Sequence, residues 1–211
     1  MTTPRRALVV VDVQQEYFDG PLEIQHPPRD ESLANIVAAM DTATAHDVPV
    51  IIVQHRMPEG APVFIEGTKG WSLHPAIEQR VDPAWKRVGK NYGSVFAGTD
   101  VAEWLRAHGV DTITIVGYMT NNCDLATAVE AEGLGFATEI LSDATGAIHL
   151  ANEAGSVSAE SLHTTLMVLL QSNFAAVATT GEWSKAVQSY AALPKSNIVE
   201  SALQGRSAVS A

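Results

Sequence analysis

The chain has 211 residues, 46% apolar and 18% charged, which suits one globular α/β domain, and no run of 18 or more apolar residues is present to span a membrane. Thirteen basic against 24 acidic residues give a formal net charge of −11, which repels nucleic acid and anionic membranes, and no Lys/Arg cluster offsets it. The one cysteine, Cys123, cannot close an internal disulfide, so a cytoplasmic protein with a free thiol is expected.

The opening MTTPRRALVVVDVQ has the basic start of a signal peptide. Asp12 interrupts the apolar run, however, and no small-residue cleavage site follows, so it is read as a first strand. That strand covers 6–13, rich in β-branched residues and continuously apolar apart from Arg6 and Asp12, as a strand buried on both faces should be. A helix follows over 30–46, with Leu33, Ile36, Val37 and Met40 at helical spacing. A second strand covers 48–54. The stretch 58–71 (PEGAPVFIEGTKGW) is too rich in Gly and Pro, and too long, for a plain connection; with Phe64 and Trp71 it reads as a pocket wall, or as a loop packed on its own domain.

A weaker strand is placed at 85–88 and a helix at 99–108, stopped by Gly109. Strands at 111–117, 137–142 and 175–179 alternate with helices at 122–132, 151–171 and 182–192. This alternation argues one domain over 1–193, a three-layer α/β/α, Rossmann-like fold around a mostly parallel six-stranded sheet. Residues 194–211 are small and polar, and are expected to be a flexible tail or an arm packed on a neighbouring subunit.

In an open parallel sheet, ligands bind at the carboxyl ends of the strands. Three chemically capable residues fall there: Asp12, Lys90 and Cys123. Each alone has a bland reading. Asp12 could be a turn or cap residue, Lys90 a solvated surface amine, and Cys123 a small buried hydrophobe. Against that, a carboxylate in VVVDVQ needs a partner if buried. Cys123 opens a helix, where the macrodipole favours a thiolate; Asn121 and Asn122 are good cap types, and Gly117 permits a tight turn. Acid, amine and thiol at neighbouring strand ends make a catalytic unit: a thiol nucleophile, an acid that moves its proton, and a cation that holds both.

The sequence resembles the isochorismatase-like cysteine hydrolases, a superfamily including nicotinamidases, N-carbamoylsarcosine amidohydrolases, streptothricin hydrolase and isochorismatases. The resemblance rests on DVQQEYF (12–18), KNYGSVFAGTD (90–100), GYMTNNCDLATAVEAEGLG (117–135) and DAT (143–145), in order, over about residues 6 to 180. It implies Asp12, Lys90 and Cys123 as catalytic residues. It also implies a cis peptide at Tyr118–Met119, with the backbone N–H groups of Met119 and Cys123 forming an oxyanion hole. Gln14, Tyr17, Phe18, His55, Phe64, Trp71, Tyr118 and Asn122 are the expected substrate-binding residues. Family members are commonly dimers or tetramers, so a homodimer or homotetramer is expected.

One departure matters. Nicotinamidases carry a metal-binding D-x-H pattern after the second strand; here, aligned on Pro58, its positions hold His55 and Met57. His74 remains, without a carboxylate at ligand spacing. No metal is expected, and no cofactor, since GLGF (133–136) lacks the dinucleotide fingerprint. His149 and His163 read as structural or exposed.

The implied activity is hydrolysis of a C–N bond in a small amide, lactam or ureide through an acyl-enzyme on Cys123, with GYMT-x-N-CD nearest to streptothricin-hydrolase-like members. The rivals are an isochorismatase-type ether hydrolase, which needs an acid but no thiol, and a non-catalytic binding protein on the same fold.

Overall fold

A computed structural model describes residues 3–209. Five long parallel strands come first: β1 (Arg6–Val11), β2 (Val50–His55), β3 (Lys86–Lys90), β4 (Thr112–Tyr118) and β5 (Ala137–Gly146). Two short strands, β6 (Leu150–Asn152) and β7 (Gly155–Val157), form a separate hairpin, and β8 (Ala176–Ala178) completes the main sheet. The order is β3-β2-β1-β4-β5-β8 and every pairing is parallel. All six residues of β1 and all seven of β4 are buried, so the centre of the sheet is covered on both faces.

The alternation of side chains along each strand makes two cores. Leu8, Val10, Val50 and Ile52 face Ile36 and Met40 of α1 (Arg29–Ala45) and Trp183 of α6 (Thr180–Gln188). Val9, Val11, Ile51, Ile113 and Ile115 face Leu105 of α3 (Val101–Ala107), Ala128 and Ala131 of α4 (Leu125–Leu134) and Met167 of α5 (Ala159–Leu169). The three-layer expectation therefore holds. A short α2 (Pro75–Glu78) lies between β2 and β3.

Three expectations change. β1 stops at Val11, because Asp12 takes a left-handed conformation (φ 49°) that short polar side chains tolerate best. The helix expected over 151–171 begins only at Ala159. Ahead of it, Asn152 accepts the Ala154 N–H at 2.9 Å and Gly155 has φ 141°, so the chain turns into the β6–β7 hairpin. Ser158 then caps α5 by accepting the Ser161 N–H at 3.1 Å. Finally, much of the expected tail is a helix, α7 (Ile198–Val209), whose start is capped by Asn197 Oδ1 accepting from Val199 and Glu200 N–H. It lies beside the 170–174 turn of its own chain and leaves Ile198, Val199 and Leu203 exposed.

Candidate active site

The carboxyl ends of β1, β2, β3 and β4 converge. In register, His55 lies beside Lys90, Val53 pairs β1 through Val11, and Val11 pairs Gly117. At Gly117 φ is 114°, and a Cβ there would collide with the Val11 carbonyl, so only glycine lets β4 run this close to β1. The Tyr118–Met119 peptide is cis, as the resemblance implied. One π-turn (Thr120–Asp124) then leads into α4 and turns Cys123 inward.

Asp12, Lys90 and Cys123 meet in the interior, with 0%, 1% and 4% of their surface exposed. Lys90 Nζ is 2.6 Å from Asp12 Oδ2 and donates to Cys123 Sγ at 3.2 Å. It also lies 3.1 Å from His55 Nδ1 and 3.1 Å from the Tyr92 carbonyl oxygen. An ammonium has three N–H groups, so four acceptors compete for them. Neither Asp12 oxygen accepts from a backbone N–H, hydroxyl or amide among the described residues.

The electrostatics follow from this burial. The Cys123 thiol is pushed far up, first by desolvation and then by the Asp12 charge; Lys90 pulls the other way. Burial and the Asp12 charge therefore oppose the thiolate that the helix dipole favours, and neither Asn121 nor Asn122 caps the turn. Burial disfavours the Lys90 ammonium, but Asp12 and Cys123 outweigh it and hold Lys90 above its ordinary value. His55 is pushed down by burial and by Lys90, which makes it a neutral acceptor toward the ammonium.

The other expected site residues divide into groups. Tyr17, Phe64, Tyr118 and Phe18 form an aromatic wall: Tyr17 lies 5.3 Å from Phe64 and 5.5 Å from Tyr118, and Phe18 is 5.8 Å from Tyr118. His55 meets Phe64 edge-on at 5.3 Å. Gln14 is committed to the backbone instead of an open face. Its Oε1 accepts the His55 N–H at 2.8 Å, and its Nε2 donates to the His55 and Trp71 carbonyls at 3.0 and 2.7 Å. Through Gln14, the 58–71 loop is tied to the end of β2. Trp71 Nε1 is buried without a hydrogen-bond partner among the described residues. Asn122 is exposed beside Gly93.

Asp12, His55 and Cys123 also form a group of metal-capable side chains whose donor atoms lie within 4.8 Å of one another. Lys90 Nζ stands within 3.2 Å of all three, so an ammonium fills the space a cation would take. His74 is used elsewhere: its Nδ1 accepts the Ala76 N–H at 3.2 Å at the start of α2, and its ring packs 4.4 Å from Phe18. The residues present do not fit a nicotinamidase-type metal centre.

Two residues outside the expected site bear on it. His163 Nδ1 accepts from Thr120 Oγ1 at 3.0 Å, and its Nε2–H donates to the Ser142 carbonyl at 2.9 Å, so it braces the π-turn against β5. Asp124, next to the nucleophile candidate, is fully buried. The sequence hint was there in the pair Cys123-Asp124 at the head of an apolar helix.

The family model for the isochorismatase domain matches residues 6–182. The chain belongs to the isochorismatase family. The crystal structure of a protein assigned as an isochorismatase from Burkholderia xenovorans LB400 superposes with a TM-score of 0.96, at 48% identity over 100% of both chains. The secreted isochorismatase effector Isc1 of Verticillium dahliae is 32% identical over 145 residues, 69% of this chain and 74% of that one. Maleamate amidohydrolase of Pseudomonas putida is 27% identical over 162 residues, 68% of this chain and 73% of the relative. Among the described residues, no helix is long and apolar enough to cross a membrane.

Proposed function

We propose that this isochorismatase-family chain hydrolyses the C–N bond of a small carboxamide, lactam or ureide through an acyl-enzyme on Cys123. The observation that carries the reading is the buried contact of thiol, ammonium and carboxylate: Lys90 Nζ lies 3.2 Å from Cys123 Sγ and 2.6 Å from Asp12 Oδ2. An acid-only ether hydrolysis has no use for a thiol at that position. The amidohydrolase named among the relatives supports the same chemistry.

Burial and the Asp12 charge push the Cys123 thiol up, so its proton needs a base, and Asp12 takes that role. As Cys123 Sγ attacks the carbonyl carbon, its proton passes to Asp12, and Lys90 steadies the developing thiolate and the carboxylate. The carbonyl oxygen becomes an oxyanion held by the backbone N–H groups of Met119 and Cys123. Collapse breaks the C–N bond, and the amine leaves with the proton from Asp12. Water then adds to the thioester, gives its proton to Asp12, and releases the acid and the thiol. The wall of Tyr17, Phe64 and Tyr118 excludes bulk water during these steps. Lactam opening of the streptothricin-hydrolase kind lies within this reading.

The test is intact-mass detection of a covalent adduct during turnover of a primary-amide and lactam panel, in wild type and in Cys123→Ala. An adduct equal to the acyl mass, lost with activity in Cys123→Ala, is expected. The isochorismatase named among the relatives keeps one second reading open. Activity on vinyl ethers that survives Cys123→Ala and disappears in Asp12→Asn would establish it instead.

A further inference from the structure

The last helix, α7, is amphipathic the wrong way round. The side it turns to its own body is small or polar: Glu200, Ser201, Gln204, Gly205 and Ala208 line a groove of about 750 Å³ between α7 and α5. Its large apolar side chains point the other way. Ile198, Val199 and Leu203 line none of that groove and are 60%, 63% and 57% exposed. Such a helix gains little from its own body. Its twelve residues, with β-branched side chains and Gly205 among them, are too few for a stable helix alone in water, so burial of an apolar face has to hold it.

The apolar patch extends past the helix. α7 lies beside the 170–174 turn, and just ahead of that turn Val168 and Leu169 of α5 are exposed as well. Five large apolar side chains around one turn are more than scattered exposure, and mark a contact surface.

The Burkholderia xenovorans crystal structure points to what covers it. α7 is 12 of the 211 residues, so a TM-score of 0.96 over the whole chain requires the helix to stand in the same place there. The match spans 100% of that chain, so the relative has no further segment of its own to lay over the helix. In a crystal of one protein, the remaining protein cover is another copy. A lipid surface is the other home for an apolar stripe, but membrane-surface helices are rich in Lys and Arg on their polar side. α7 contains one basic residue, Arg206, and a net charge of −11 opposes anionic lipid.

We propose that α7 is an assembly helix: a second copy of this chain covers Ile198, Val199 and Leu203, the two copies meeting across a two-fold axis that brings the same stripe on each together.

Analytical ultracentrifugation of the full chain is the test. Wild type should sediment at an even multiple of the single-chain mass. Val199→Glu combined with Leu203→Glu should halve that mass at the same concentration. The dissociation constant should rise at least about a hundredfold, because unpaired carboxylates in an apolar contact are among the costliest changes an interface takes. Both positions are exposed in one copy, so the substitutions leave its core untouched. A wild-type chain that sediments as a monomer overturns the proposal without any variant. So does a double variant that keeps the wild-type mass, which would put the assembly on another face. A wild-type monomer that floats with phosphatidylglycerol or phosphatidylcholine vesicles would make the stripe a lipid contact, and overturns it as well.

Discussion

Strand β1 carries a buried ion pair at each end, and the two differ in how many partners they have. At the amino end, Arg6 meets Glu139 through Nε at 3.1 and 2.9 Å and through a terminal nitrogen at 2.8 Å. Glu139 also accepts from Thr114 at 2.8 Å and from Trp183 Nε1 at 3.1 Å, and Arg6 gives a further bond to the Ala191 carbonyl at 2.6 Å. Every strong site of that carboxylate is taken. At the carboxyl end, Asp12 has the Lys90 ammonium and a neighbouring thiol, and Lys90 has more acceptors than protons. The first pair is locked in one arrangement. The second keeps an acceptor in reserve beside a titratable sulfur, the condition for moving a proton.

The two pairs should therefore fail differently. Asp12→Asn should lower amide hydrolysis about a thousandfold, within the span that a general acid–base residue supplies. Its effect on stability should be smaller than a broken buried ion pair suggests, because Lys90 can lose its proton when its counter-charge goes. Glu139→Gln should do the reverse. Arg6 stays charged whatever surrounds it, so the variant should lose about 3–5 kcal/mol of unfolding free energy while turnover per folded molecule is kept. Denaturant unfolding and active-site-normalised rates check both. Equal stability losses in the two variants would break the contrast.

This contrast also marks how far the sequence could be read. The continuous apolar runs at β1, β2 and β4 announced a doubly covered parallel sheet, and Asp12, Lys90 and Cys123 stood out because each was the wrong residue type for its surroundings. Glu139 did not stand out, since its partner Arg6 lies 133 positions away and only strand order brings them together. Gln14 is expected among the substrate-binding residues on the resemblance; its role as a strut depends on a loop 57 residues further on. The 150–157 hairpin is hidden by a helical apolar pattern that in fact starts later, with Asn152 and Gly155 as its turn signals. The force opposing a thiolate at Cys123 is hidden for a related reason: a helix start is visible in sequence, but burial beside Asp12 is not.

His163 extends the comparison to a buried group that is neutral. Burial, and then His26, lower its pKa from 6.5 to about 4. Between those values the unfolded chain binds a proton that the folded chain does not, so stability rises with pH there. The contribution is complete above pH 6.5 and is lost as pH falls toward 4, up to about 3 kcal/mol in all. His163→Gln should flatten the pH dependence of unfolding in that window. Because Thr120 and the π-turn lean on His163, the same variant should also lower the Cys123 alkylation rate at neutral pH.

The smallest effect tests the claim that the amino-end pair is saturated. Trp183 is fully buried and its Nε1–H donates to both Thr114 Oγ1, at 2.9 Å, and Glu139 Oε2. Trp183→Phe removes that donor and leaves the ring in place of the indole. Glu139 keeps Arg6 and Thr114, so no charge is stranded, and the loss should be about 1–2 kcal/mol: one net hydrogen bond plus a small packing defect. A loss as large as that of Glu139→Gln would mean that the carboxylate depends on each donor separately. The partner count would then not distinguish the locked pair from the poised one, and the reserve acceptor on Asp12 would lose its meaning as a sign of chemistry.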